Sequence, residues 1–164
     1  RQMCIRDRVM RSLAPELHID PDKIGVSGTS AGGHLAASVG TLSPQRPSFM
    51  ILFYPVISAD TDKRHRGSFE QLLGKKHCDT PQSQELSLEK KVDVQTPPTL
   101  LFHCDDDKVV PAVNSVLFYK QLKTYGIKSS LHIYPSGGHG WGMSSCFRYY
   151  DDWQKSVLDW LSTL

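Results

Sequence analysis

Between a short apolar run, Lys23-Ile24-Gly25-Val26-Ser27-Gly28, and a helix-prone stretch from Ala31 to about Leu42 lies the pentapeptide Gly28-Thr29-Ser30-Ala31-Gly32. A strand that passes into a helix through so few residues must turn sharply. The turn forces its central residue into a strained backbone state, which the small neighbours tolerate because they carry little bulk to collide. It also leaves the Ser30 hydroxyl exposed beyond the sheet edge, as a nucleophile requires. A glycine- and serine-rich loop before a helix can instead hold phosphate on free helix amides. That reading lacks support, because neither a G-K-S/T sequence nor a G-x-G-x-x-G arrangement is present. Alone the pentapeptide is a weak signal; with the strand-like run before it and the helix-prone stretch after it, it predicts a strand-turn-helix unit, and with it a mixed α/β architecture.

The rest of the chain repeats that alternation. Phe49-Met50-Ile51-Leu52-Phe53-Tyr54 and Thr99-Leu100-Leu101-Phe102-His103 are apolar without a period of two, which predicts strands covered on both faces of a parallel sheet. A fourth strand is predicted over Ser130 to Tyr134, giving strands near residues 24–28, 49–54, 99–103 and 130–134. A helix after Pro111 places Val113, Val116 and Leu117 on one side and stops at Gly126. The last, from Arg148 to Leu164, carries a stripe of Trp153, Val157, Leu161 and Leu164. A short helix is predicted from Val9 to about Leu17. The forty or so polar residues between the second and third strands read as a connection or cap, with one helical turn around Phe69 to Leu73. Residues 1–8 show no fold pattern and are expected to be a non-native leader, with 9–164 forming one domain.

A serine hydroxyl is a poor nucleophile until a base takes its proton, and the base needs a carboxylate to fix its tautomer. Two later strand ends offer the partners: His103-Cys104-Asp105-Asp106-Asp107-Lys108-Val109-Val110-Pro111, and Tyr134-Pro135-Ser136-Gly137-Gly138-His139-Gly140-Trp141. The order Ser, Asp, His along the chain suits a sheet that carries its site at its strand ends. Three consecutive carboxylates cannot all face one imidazole, so two of Asp105, Asp106 and Asp107 are turn residues. His139 is the candidate base, while His18, His34, His103 and His132 read as packing or surface histidines. Ala31, which opens the helix, is the candidate donor of a backbone N–H to a developing oxyanion. Trp141 is a candidate border of the substrate pocket, although a residue that packs the loop fits equally.

With these motifs the chain resembles an α/β hydrolase of the small carboxylesterase branch that includes acetyl-xylan and feruloyl esterase-like enzymes. The matching stretches are Gly28 to Ala36, Pro97 to Pro111 and Gly137 to Gly142. The resemblance implies that Asp107, in the D-x-V-V-P position, is the acid, with Asp106 the alternative. It also implies that the chain is the C-terminal part of an α/β-hydrolase fold, a mostly parallel sheet flanked by helices. The second oxyanion donor, supplied in relatives by an earlier H-G-G-type loop, would then lie outside the sequence. The expected activity is hydrolysis of a small-molecule carboxylic ester through an acyl-enzyme on Ser30. The resemblance implies no cofactor. A serine peptidase of the prolyl-oligopeptidase type and an inactive hydrolase-like fragment are the alternatives.

Composition narrows the partners. A formal charge of +2 over 164 residues is too small an excess to argue for nucleic acid or an anionic membrane. No apolar run approaches the roughly 20 residues that span a bilayer. The basic run Lys63-Arg64-His65-Arg66 reads as a solvated loop. Cys4, Cys78, Cys104 and Cys146 lack zinc-type spacing, so no metal is expected. They read as unpaired thiols, with a Cys78–Cys146 disulfide as the alternative.

Overall fold

The computed structural model describes residues 8–164. The expected leader lies outside the described residues except for Arg8, which is helical, as are residues 9–12. Four strands form one sheet: β1 (Val26–Thr29), β2 (Met50–Phe53), β3 (Thr99–Cys104) and β4 (Ser129–Tyr134). They pair side by side in chain order, every pair parallel, with Gly28 opposite Leu52, Leu52 opposite Leu101, and Leu101 opposite Leu131. Parallel neighbours need crossovers, and helices α1 (Ser30–Leu42) and α3 (Val113–Thr124) provide two of them. Helix α2 (Arg66–Leu73) lies in the connection between β2 and β3, and α4 (Tyr150–Leu161) follows β4.

Alternate residues of the central strands enter two different cores, which explains their uninterrupted apolar runs. Met50, Leu52 and Leu101 join Ala36, Ala37, Phe118 and Leu122 on the face covered by α1 and α3. Ile51, Phe53, Leu100 and Phe102 join Trp153 and Trp160 of α4 on the other. Each large side chain so buried contributes about 1.5–3 kcal/mol over an exposed one. Helix α1 approaches closely because its inner residues are small: a Cβ at Gly40 would lie 2.2 Å from Met50 Sδ.

Several elements differ from expectation. The N-terminal helix is interrupted at Leu13, and only the single turn Ala14–Leu17 continues it. Pro15 has no N–H for the helical ladder, and Val9, Met10 and Leu17 stay exposed. On α3 the inward residues are Asn114, Ser115, Phe118 and Leu122, whereas Val116 is exposed. The polar pair turns inward because it satisfies buried groups: Asn114 Oδ1 accepts the N–H groups of Ile57 and Ser58. Strand β2 ends at Phe53, one residue early, because Tyr54 adopts a left-handed backbone with φ of 36°.

The connection between β2 and β3 is more ordered than a polar loop. It holds α2, the helical turns Pro81–Gln84 and Leu88–Lys91, and a core of Val56, Ala59, Phe69 and Cys78 that Val110 of the β3–α3 loop completes. Its basic run is paired internally, with Arg64 bonded to Asp79 and Arg66 to Glu70 at 2.7 Å. Cys78, Cys104 and Cys146 are free thiols, the first two buried, so the Cys78–Cys146 disulfide is not formed. Among the described residues no helix is long and apolar enough to cross a membrane.

Candidate active site

Three strand ends on the same side of the sheet carry the candidate residues. Ser30 follows β1 as the first residue of α1, with φ of 51°. A non-glycine residue held there costs of order 1–3 kcal/mol, a strain that surrounding packing must sustain. That packing leaves no room for added bulk: a Cβ at Gly28 would lie 2.2 Å from the Gly32 carbonyl oxygen, and one at Gly33 would lie 2.7 Å from Pro55 Cβ. The Ser30 carbonyl accepts the Val56 N–H at 3.1 Å, tying the turn to the end of β2.

Ser30 Oγ lies 2.8 Å from His139 Nε2, and His139 Nδ1 lies 2.6 Å from Asp107 Oδ2. A carboxylate only accepts, so Nδ1 carries the proton and Nε2 is free to accept from the serine hydroxyl. Asp107 has a fully buried side chain, and its other oxygen accepts the N–H groups of Val109 and Val110, both at 2.9 Å. Those bonds fix which oxygen meets the histidine. The structure thus brings together Ser30, Asp107 and His139 and leaves Asp105 exposed on the β3–α3 loop.

Four residues are packed or bonded around these three in ways their sequence positions do not disclose. His103, read as a packing histidine, is fully buried, and its Nε2 lies 2.8 Å from the Val110 carbonyl and 3.3 Å from Asp107 Oδ2. Nε2–H therefore donates, and Nδ1 accepts from the Ser115 hydroxyl at 2.8 Å. Burial pushes its pKa down, so it stands as a neutral brace beside the carboxylate. Asp106, read as a turn residue, accepts the N–H groups of Gly137 at 3.2 Å and Gly138 at 2.8 Å. Those bonds hold its carboxyl below the usual carboxylate range. Tyr54 packs its ring 4.7 Å from that of His139 and accepts the Gly142 N–H on its hydroxyl at 2.9 Å. Cys104 lies beneath the histidine loop, its thiol pushed up to about 11 by burial and then by the Asp106 charge. The only sequence signal for Asp106 is the run of three aspartates; His103, Tyr54 and Cys104 give none beyond standing at the ends of β2 and β3.

Ala31 is exposed at the start of α1, where helix amides have no intrahelical partner. It borders a cavity of about 640 Å³ between α1 and α2, lined also by His34, Leu35, Val56 and Phe69. Trp141 does not line this cavity: it is buried, stacked on Phe147 at 4.1 Å between ring centroids and edge-on to Phe53 and Tyr54. His34 is buried against the Leu86 carbonyl. Among the described residues no three His, Cys, Asp or Glu side chains are grouped as a metal ion would need.

Residues 4–164 match the model of the prolyl oligopeptidase family. The chain belongs to that family. An acetylxylan esterase of Xylanibacter ruminicola is 38% identical over 162 residues, covering 96% of this chain and 34% of that protein. Endo-1,4-beta-xylanase B of Butyrivibrio fibrisolvens is 34% identical over 149 residues, 81% of this chain and 23% of that protein. The chain therefore spans about a third or less of these curated relatives. Among solved structures, an acetyl ester-xyloside bifunctional hydrolase from Caldicellulosiruptor lactoaceticus superposes with a TM-score of 0.88 at 40% identity, covering 96% of this chain and 62% of that one. An α/β hydrolase from a deep-sea metagenome library superposes at 0.75 with 27% identity, over 96% of this chain and 60% of that one. These neighbours establish the α/β-hydrolase fold for this member of the prolyl oligopeptidase family.

Proposed function

We propose that the protein hydrolyses carboxylic esters through an acyl-enzyme on Ser30, with acetyl esters of xylan-type carbohydrate as the substrate class. The observation that carries this reading is the unbroken chain of hydrogen bonds from Ser30 to His139 to Asp107, at 2.8 and 2.6 Å. His139 Nε2 takes the hydroxyl proton as Oγ attacks the ester carbonyl carbon, and Asp107 stabilises the imidazolium without itself being protonated. The Ala31 amide donates to the oxyanion. Collapse of the tetrahedral intermediate expels the alcohol, which receives its proton from His139. Water then attacks the acyl-enzyme with His139 again as base, releasing the acid and restoring Ser30.

The acetyl-ester class is supported by the names of the two relatives at 38% and 40% identity. Residues 9–164 serve in this reading as part of a hydrolase domain. A peptidase activity is the second reading, favoured by the name of the family model. Both are tested by assaying p-nitrophenyl acetate, acetylated xylan and a prolyl peptide amide with the wild type and Ser30→Ala. Release of acetate that falls by several orders of magnitude in the variant is expected. Cleavage of the amide without acetate release would give the assignment to the peptidase reading.

A further inference from the structure

The histidine is carried on a segment that has little stiffness of its own. Gly137, Gly138, Gly140 and Gly142 all have positive φ, at 143°, 63°, 81° and 42°. Glycine loses more conformational freedom on ordering than any other residue. Something outside the loop must therefore fix the imidazole to the fraction of an ångström that proton transfer needs. On the far side of His139 that anchor is the Tyr54 hydroxyl, which accepts the Gly142 N–H. On the near side it is Asp106, whose two oxygens take the two N–H groups immediately preceding the histidine. Its neighbour Asp107 takes the imidazole N–H. The two adjacent carboxylates so hold one histidine, one by its backbone and one by its ring.

We propose that Asp106 is a positioning residue for the reaction: its carboxylate clamps the glycine-rich loop and so sets where His139 stands between Ser30 and Asp107. The proposal rests on the esterase reading above for its kinetic consequences, but the clamp itself is a statement about the loop. Asp106 is exposed, unlike Asp107, so its side chain contributes nothing to the core. Its role lies in the two charge-assisted bonds to Gly137 and Gly138, which are stronger than neutral ones. Without them the loop visits other arrangements, and the imidazole spends less time in the productive one. A misplacement of about 1 Å at a reacting group costs up to about 100-fold in rate.

The test compares the full chain with Asp106→Ala and Asp106→Asn. The readouts are kcat and KM on p-nitrophenyl acetate, the labelling rate of Ser30 by a fluorophosphonate, thermal melting, and the downfield proton resonance of His139 Nδ1–H. Removal of both acceptors in Asp106→Ala is expected to lower kcat and labelling by about 10- to 100-fold with KM nearly unchanged. The melting temperature should stay close to wild type and the Nδ1 proton line should broaden. Asp106→Asn keeps one acceptor, enough for the shorter bond to Gly138, and should fall between the two. Wild-type kcat and a sharp line in Asp106→Ala would overturn the clamp while leaving the esterase reading intact. A KM that rises in step with the kcat loss, together with a lowered melting temperature, would also overturn it, making Asp106 a fold element only. If wild-type Ser30 takes no label, the esterase reading fails by itself, and the proton line decides the clamp: broadened or lost in Asp106→Ala supports it, unchanged refutes it.

Discussion

Replacing Asp107 by asparagine is an almost isosteric change, and the structure dictates how the new amide must lie. One oxygen of Asp107 accepts two backbone N–H groups, from Val109 and Val110, each at 2.9 Å. The NH₂ of the substituted side chain cannot accept them, so the amide oxygen must stay there and the NH₂ must take the position of Oδ2. That position lies 2.6 Å from His139 Nδ1 and 3.3 Å from His103 Nε2. A donor now faces Nδ1, so His139 must present its lone pair there and move its proton to Nε2. Nε2–H then points at Ser30 Oγ and no longer accepts its proton. The same carboxylate-to-amide exchange in serine proteases leaves the geometry intact and lowers kcat by about 10⁴-fold, equivalent to about 5.5 kcal/mol of transition-state stabilisation. Stability should change far less, because the two backbone bonds survive. The assay is kcat on p-nitrophenyl acetate beside a urea denaturation curve. An Asp107→Asn variant that keeps more than about a tenth of wild-type kcat would refute the tautomer argument, which is worth about three further powers of ten.

Two further predictions concern the scaffold. Gly28→Ala places a Cβ against backbone atoms of the first turn of α1, which no side-chain rotation can relieve, and should cost about 3 kcal/mol or more by urea denaturation. Gly32→Ala meets nothing within 4 Å and should stabilise the helix by about 0.5–1 kcal/mol; equal effects at the two glycines would contradict the account of the turn. Asp93 is held at about 2, below its ordinary 3.8, first by the Arg46 guanidinium. The fold favours its ionised form, so its contribution is present above about 3.8 and disappears as the pH falls through about 2. The Asp93 side chain is 44% exposed, so the effect is modest: Asp93→Asn should flatten the loss of stability between those two values, and an unchanged acid slope would discount the pair.

The parts of this molecule that are legible in its sequence are those in which local chemistry and tertiary demand coincide. Met50 to Phe53 and Thr99 to Cys104 announce themselves as two-sided strands because both faces are buried. Ser30 does so because the turn it occupies admits no side chain at Gly28, two residues earlier, and follows directly on a strand. The inward face of α3 departs from its apolar stripe because a hydrophobic pattern cannot anticipate Asn114 and Ser115 turning inward to satisfy the backbone of Ile57 and Ser58 and the ring of His103. Asp106, His103 and Tyr54 depend on where three loops from different strands meet. Their spacing in sequence carries no trace of that meeting, and only the run of aspartates hints at it. The internal core of the connection between β2 and β3, built on Phe69 and Cys78, is hidden by the polar residues around it.

The central claim is that Ser30 carries the acyl group, and it is tested most directly by trapping that species. The protein is mixed with p-nitrophenyl acetate, quenched in acid during turnover, digested and analysed by mass spectrometry. The account predicts an acetyl group on Ser30 in the peptide that contains it, absent from Ser30→Ala and accumulating further in a variant slowed at deacylation. Release of p-nitrophenol at an undiminished rate by Ser30→Ala, or an acetyl group found on another residue in its place, would contradict it.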